Sequence, residues 1–405
     1  MIDRRQVLKL GAGVLGIAGL GAGYTAYRWR LPPPSANLRA PRAIAKDFLA
    51  TLDPELRSRV QVDYEHPYRQ YHNEGIWTKS AEAGIHLGEF DFSSDQRALI
   101  VDLLHSGLST AGHEVIPRQL FFDDYGALYN NVVICGEPES DTCQIIFTGI
   151  HLNLRIGGQN REGVAFGGPQ VYGDQAGNEV PGLPGNVYRP QFIMATSLFE
   201  SLDRSQQAAA VLPNSPIQTQ IEVQGSAGIF AGLPVAELAS EQQLQVTKII
   251  NQTFAPYPDD DVAYAWECIE ANGGVSGLHL SYYDDSRYDE SGSFQNYRLE
   301  GPAAVFFFQG IPHVHGFFNV AMDGEAPLSV GETVAMNDTL LEGVTLVLLF
   351  ERAIVDQTGA DFAYYVEDCV VGRIRRGIVL TGDIYNAENC QNEVIELSVR
   401  GADIG

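Results

Sequence analysis

Two apolar runs, far apart in the chain, both lead into histidine: Phe147-Thr148-Gly149-Ile150-His151-Leu152, and the run 304–309 followed by Pro312-His313-Val314-His315-Gly316. Each is reached through the same order of elements. In the first half Ser93-Ser94-Asp95-Gln96, with Leu99, Ile100, Leu103 and Leu104 behind it, joins an N-cap to helical spacing and predicts a helix from 94 to about 108. Extended segments follow over 131–135 and 144–154, with Gly136-Glu137-Pro138 as the turn, and a second helix is expected over 191–212. In the second half Ser240-Glu241-Gln242 opens a helix to 253, 259–269 reads as helical, and strands follow over 277–283, 297–299 and 304–309. The pattern predicts an internal pseudo-repeat, helix then strands then histidine, whose two histidine-bearing strand ends meet.

Beyond Asp323 the pattern turns β-rich, over 345–350, 362–366, 370–374, 377–380 and 393–399, and predicts a small β domain or an added sheet layer over 324–405. With 42–323 as the core, the whole reads as an α+β fold. The 405 residues are 45% apolar and 19% charged, with 42 Gly and 20 Pro, which fits a loop-rich globular protein and excludes a coiled coil or extended disorder. The 51 acidic residues against 26 basic ones give a net charge of −25. That field repels phosphate backbones and anionic headgroups, so nucleic acid is not expected as a partner.

Asp3-Arg4-Arg5-Gln6-Val7-Leu8-Lys9 precedes an uncharged, Gly-rich run of about 17 residues, at the lower limit for a membrane span. The segment resembles a twin-arginine export signal, with Asp3 in place of the usual Ser or Thr and Val7 in place of Phe. It implies the twin-arginine translocation machinery as a partner and the periplasm, or the outer face of the cytoplasmic membrane, as the destination. Gly11-Ala12-Gly13-Val14-Leu15-Gly16 matches G-x-G-x-x-G, yet no strand precedes it and no acidic residue lies about 20 positions on, so no nucleotide cofactor is expected. No A-x-A site follows Tyr24-Thr25-Ala26-Tyr27, so 1–30 reads equally as a signal or as an N-terminal anchor, the one expected membrane contact. Leu31-Pro32-Pro33-Pro34-Ser35-Ala36, within 31–41, reads as an extended linker. Export by this route implies folding before transport, with any metal loaded in the cytoplasm.

If Pro312 to Gly316 continues the strand 304–309, His313 and His315 share one face and can reach a single ion. Imidazole is the commonest nitrogen ligand for Zn, Cu, Fe and Ni. His151, at the end of its own apolar run, is the third candidate ligand. Three neutral imidazoles with an open position suit one divalent metal, Zn or Cu, and on zinc a bound water would be the nucleophile at neutral pH. Asp323 and Asp123 are the candidate catalytic carboxylates, with Asp124 beside the latter. His66, His72, His86, His105, His113 and His279 form no ligand spacing, and H-x-H pairs are often structural.

Cys135, Cys143, Cys268, Cys369 and Cys390 contain no C-x-x-C pair, which argues against a thiolate zinc site; a Cys135 to Cys143 bridge across a hairpin stays open. Gly274-Val275-Ser276-Gly277-Leu278 and Gln224-Gly225-Ser226-Ala227-Gly228 each lack one glycine of a nucleophile elbow, and Walker A, H-E-x-x-H and C-x-x-C-H motifs are missing.

Several blocks, taken in order from about residue 84 to 323, resemble the bacterial and fungal domain-of-unknown-function 3500 family. They are Asp95-Gln96-Arg97-Ala98 through Leu108-Ser109, Gly149-Ile150-His151-Leu152 for the family's G-H-H-L, Ser201-Leu202-Asp203 with Gln206, Gly232-Leu233-Pro234, Tyr297-Arg298-Leu299-Glu300-Gly301-Pro302, and His313-Val314-His315 for its H-x-H. The resemblance implies a shared site at His151, His313 and His315 and carries no established activity. Ile150 replaces the first histidine of the family's pair, Arg155 stands where an asparagine is usual, and 319–322 lacks the family's W-R.

Three functions stay open: a metal-dependent hydrolase of an unknown small molecule, a non-catalytic periplasmic copper- or zinc-binding protein, and an acidic interaction module with structural histidines. Histidines too far apart to share an ion would indicate the interaction module, since ligand atoms at about 2 Å from one ion must converge. An open metal position in a pocket beside a carboxylate marks the enzyme, and an exposed or saturated site the carrier.

Overall fold

The structure, a computed structural model, describes residues 31–66, 69, 85–86, 92–122, 130–149, 151–157, 163–174, 186–216, 221–287, 293–311 and 313–324, together with four strands beyond 350. Residues 1–30, expected as a signal or anchor, and Asp123, Asp124, Cys369 and Cys390 lie outside the described residues. The chain divides into two units, 1–334 and 335–405.

In the first unit the chain runs through helices α1 (Pro41–Ala50) and α2 (Pro54–Val60), strands β1 (Gln61–Val62) and β2 (Ile85–His86), helices α3 (Ser94–His105) and α4 (Gly112–Phe122), and strands β3 (Asn131–Gly136), β4 (Cys143–Thr148), β5 (Leu152–Gly157) and β6 (Gln170–Asp174). It then repeats that order: α5 (Arg189–Ser201), α6 (Arg204–Ala210), β7 (Val211–Leu212), β8 (Leu233–Pro234), α7 (Ser240–Phe254), α8 (Asp259–Ala271), β9 (His279–Tyr283), β10 (Tyr297–Gly301), β11 (Ala304–Gln309) and β12 (Val314–Val320). These strands form one 12-stranded sheet in the order β1-β3-β4-β5-β6-β12-β11-β10-β9-β7, with β2 also on β3 and β8 also on β9. The order reads the same from either edge. β1 lies parallel to β3 and β7 parallel to β9, while the remaining pairs, including the central β6 with β12, are antiparallel. The fold is α+β and duplicated.

Local chemistry repeats with the topology. Asp53 caps α2, accepting from the amides of Glu55 and Leu56, and Asp203 caps α6, accepting from those of Ser205 and Gln206. Ser93 caps α3 in a reciprocal box with Gln96. The Gln96 amide also donates to the Thr51 carbonyl at 3.1 Å, and the Gln242 amide, at the same turn of α7, donates to the Ser201 carbonyl at 2.8 Å.

Three expectations change in detail. The helix expected over 191–212 is broken at Leu202-Asp203, because the Asp203 cap starts a new helix whose end passes into β7. The segment 144–154 is a hairpin, turned where the Gly149 amide donates to the Leu152 carbonyl at 2.7 Å. His313-Val314-His315 does not continue β11. It opens β12, which returns beside β11 with His315 opposite Gln309.

Strand alternation divides the core between the two sheet faces. Val132, Ile134, Ile145, Phe147, Phe306 and Phe318 pack with the helices. Val171, Val305, Phe307, Phe317 and Tyr283 form a second cluster, and Val133, Cys135 and Ile146 a third. Cys135 and Cys143 therefore belong to different clusters, and both are free buried thiols rather than a bridge. Burial pushes the Cys135 thiol up to about 12 and that of Cys143 to about 11, so neither is a ready nucleophile. The stretch expected as a linker is bound down: Leu31 is buried, and Ser35 bonds the Asp102 carboxylate of α3 through both its amide, at 2.8 Å, and its hydroxyl, at 2.6 Å.

The second unit contains two antiparallel hairpins, β13 (Arg352–Val355) with β14 (Phe362–Tyr365) and β15 (Val379–Asn386) with β16 (Gln391–Ser398).

Candidate metal centre

His151 sits in the β4–β5 turn of the first half, and His313 and His315 open β12 of the second. The central β6–β12 pairing brings them together. His315 lies opposite Gly173 of β6, and a Cβ at Gly173 would come within 3.0 Å of His151 Cδ2 and 2.3 Å of the Val314 carbonyl oxygen. Glycine is required there so that His151 can lie against β6 beside His315.

The Nε2 atoms of His151 and His315 are 3.2 Å apart, and those of His315 and His313 are 2.7 Å apart. One ligand atom from each of the three rings lies within 4.8 Å of the others. Ring centroids are separated by 5.0, 5.0 and 4.5 Å. His151 is buried, while His313 and His315 are partly exposed. Burial, and secondarily the neighbouring His151, pushes His313 down to about 4, which keeps its imidazole neutral and its lone pair available at neutral pH. Three nitrogens converging from two strands and a turn form a set that fits a transition-metal ion.

A buried chain of hydrogen bonds holds the turn. The Gln119 side chain of α4 donates to the His151 carbonyl at 2.6 Å, and the Tyr188 hydroxyl donates to the Gln119 oxygen. The ring of Tyr188 in turn packs on Tyr172 of β6 at 4.7 Å between centroids. No spacing in the sequence marks Gln119, Tyr188 or Gly173, because their roles arise only from the packing of α4 and β6 around the turn.

Asp323 does not join the histidines. It follows the far end of β12, past the pairing of Val320 with Ala304, and so lies roughly 20 Å along the strand from His315. His105 and His113 form a separate structural pair: His105 Nε2 contacts the Pro32 carbonyl oxygen at 2.9 Å and His113 Nε2 the His105 carbonyl oxygen at 3.0 Å. His279 packs on the Phe230 ring at 5.7 Å.

The histidine strand ends meet, but they are not equivalent in the duplication. Thr148 paired with Asn153 brackets His151, and the matching pair, Glu300 with Val305, brackets Ala303. Gln170 and Phe318, paired across the junction, are the equivalent residues of β6 and β12, so His315 corresponds to Gly167 and His313 to Ala165. Gly167 has a φ of +72°, and a Cβ there would meet Gln144 Nε2 at 2.1 Å. The duplicated position has no room for a ligand side chain, so the pseudo-symmetry is broken at the histidines, and among the described residues the cluster occurs once.

Neither the curated proteins nor the solved structures contain a match to this chain. A family model described as "Protein of unknown function (DUF3500)" matches residues 35–318, a span that begins before α1, takes in both halves of the sheet and contains all three histidines. The chain belongs to the DUF3500 family.

Proposed function

We propose that His151, His313 and His315 hold one divalent transition-metal ion, zinc or copper, and that the chain acts with zinc as a hydrolase of a small molecule. The observation that supports this reading is the convergence of the three Nε2 atoms. Three imidazoles leave one position of a tetrahedral ion for a further ligand. Zinc in such a set supplies Lewis acidity toward a substrate oxygen. The chain's own residues orient that set: Gln119 fixes the turn that carries His151, and the partial exposure of His313 and His315 leaves an approach from solvent. In this reading 1–30 directs export by the twin-arginine route, after the ion is loaded.

The placement of Asp323 away from the histidines favours a second reading, a metal-binding protein without turnover. Metal analysis of chain folded in its own cytoplasm and purified without added metal tests both. Near-stoichiometric zinc or copper, lost in the His313→Ala, His315→Ala double variant, is the expected result. Turnover of ester or phosphodiester probes by the zinc form, lost in the same variant, then selects the hydrolase. Metal without turnover selects the second reading, and a folded, metal-free wild type overturns both.

A further inference from the structure

The sheet face that carries the histidines also carries a row of polar side chains without a hydrogen-bond partner among the described residues. Asn131 of β3 lies opposite Thr148 of β4, and Thr148 lies opposite Asn153 of β5. Residues paired in this way project from one face as neighbours about 5 Å apart. The three are 3%, 2% and 0% exposed. Among the described residues, the Thr148 hydroxyl and the oxygen and nitrogen of both side-chain amides have no hydrogen-bond partner. Buried polar groups are rarely left so, and a row of five such atoms is costly to the free protein.

The row adjoins the candidate metal centre. Asn153 pairs with Val171, whose side chain belongs to the second core cluster, and Gly173, on the same face two residues along β6, faces His151 and pairs with His315. His151 itself is two residues from Asn153, about 7 Å along an extended chain. The duplication supplies a comparison. The residue equivalent to Thr148 is Glu300, which is buried and engaged, accepting from Gln224 at 2.8 Å and pairing with Arg298 at 2.7 Å. At this position the second half has a carboxylate held by an amide and a guanidinium, whereas the half that carries His151 has a threonine hydroxyl with no such partner among the described residues.

We propose that Asn131, Thr148 and Asn153 bind the hydroxyl groups of a neutral, polyhydroxylated substrate of the histidine centre; this names the substrate class of the hydrolase reading and rests on it. Carboxamides and a threonine hydroxyl each donate and accept, and so does an alcohol, so adjacent hydroxyls pair with the whole row. A carboxylate or phosphate only accepts and would leave both asparagine oxygens unpaired against its charge. A cation would leave both amide nitrogens unpaired. The row holds no charged side chain, and a net charge of −25 disfavours anions further. His313 and His315 are partly exposed, so the histidine end of the row is the end nearer to solvent.

The test uses the full chain in EDTA, so that the result is independent of metal. Methyl α-glucoside and inositol serve as probes, with N-acetylalanine methylamide as a peptide-like comparison, and binding is read from the side-chain amide resonances of asparagine. A hydroxylated probe is expected to shift the Asn131 and Asn153 resonances, the glycoside indicating a carbohydrate source and inositol a free polyol. Thr148→Val is expected to weaken that binding at least tenfold while raising Tm by roughly 1–3 °C, because the methyl replaces a hydroxyl that has no partner. Should Thr148→Val fail to fold, Asn153→Ala replaces it with the same expected loss of binding. Binding by the peptide probe alone, binding by no probe, binding unchanged in the variant, or a lowered Tm in Thr148→Val each overturns the proposal. Polyol binding through this row, together with a wild type that is metal-free when purified from its own cytoplasm, would leave the row standing and overturn the hydrolase reading instead.

Discussion

His151 Nε2 lies 3.2 Å from His315 Nε2, although 164 positions separate the two residues in the chain. The contact crosses the junction between the duplicated halves, so the centre exists only when β6 is paired with β12. Metal binding at these histidines would then be linked to global folding. Zinc at 100 times its Kd is expected to stabilise the wild type by about 2.7 kcal/mol, and His315→Ala to lose most of that increment. Calorimetry with and without zinc measures it, and an equal increment in the variant would place the ion elsewhere.

Gly173→Ala tests the packing that makes room for the centre. The new Cβ would sit 2.3 Å from the Val314 carbonyl oxygen and 3.0 Å from His151 Cδ2, so β12 and the β4–β5 turn must both move. The expected cost is about 1–3 kcal/mol in urea unfolding, with weaker zinc binding alongside. A variant as stable as the wild type would show that the histidines do not lie against β6.

The parts of this arrangement legible from the residues are those with local causes. Ser93 and Gln96 mark the start of α3 because a capping box is a local device. The three histidines are legible as a set because two share a spacing of two and the third ends an apolar run. The break at Asp203 is masked by the helix formers on either side of it. β1, β2, β7 and β8 are two residues each, too short for any periodicity, and with them the symmetry of the sheet edges is hidden. The separation of Asp323 from His315 depends on β12 running away from the centre, which no composition or spacing encodes.

Acid sensitivity of the metal-free protein follows from His313. Its imidazole is pushed down to about 4, chiefly by burial, whereas in the unfolded chain it takes a proton near pH 6.5. Between those values the unfolded state binds the proton and the folded state does not, so this contribution is complete above about pH 6.5 and is lost as pH falls toward 4. The displacement bounds the effect at about 3 kcal/mol, and partial exposure of the ring reduces it to about 1–2 kcal/mol. Urea unfolding in EDTA at pH 7 and pH 5 measures the difference, and His313→Asn is expected to remove it. A pH dependence identical in the two proteins would assign it to other groups.

The duplication itself makes a prediction about two glutamines that do not touch the centre. Gln96 accepts from the Ser93 amide at 2.9 Å and donates to Thr51, while Gln242 accepts from the Ala239 amide at 2.9 Å and donates to Ser201. Each ties the first turn of one helix to the end of the first helix of the preceding pair, so truncation to alanine removes a cap and a cross-link together. The expected loss is about 1–2 kcal/mol apiece, larger at Gln242, which is the more buried and also bonds Gln206. Because each glutamine bonds within its own half, the double variant is expected to add the two losses within about 0.5 kcal/mol. A double loss well below that sum would mean that the halves do not contribute independently at these positions, and that the repeated glutamine ties share a common strain across the sheet.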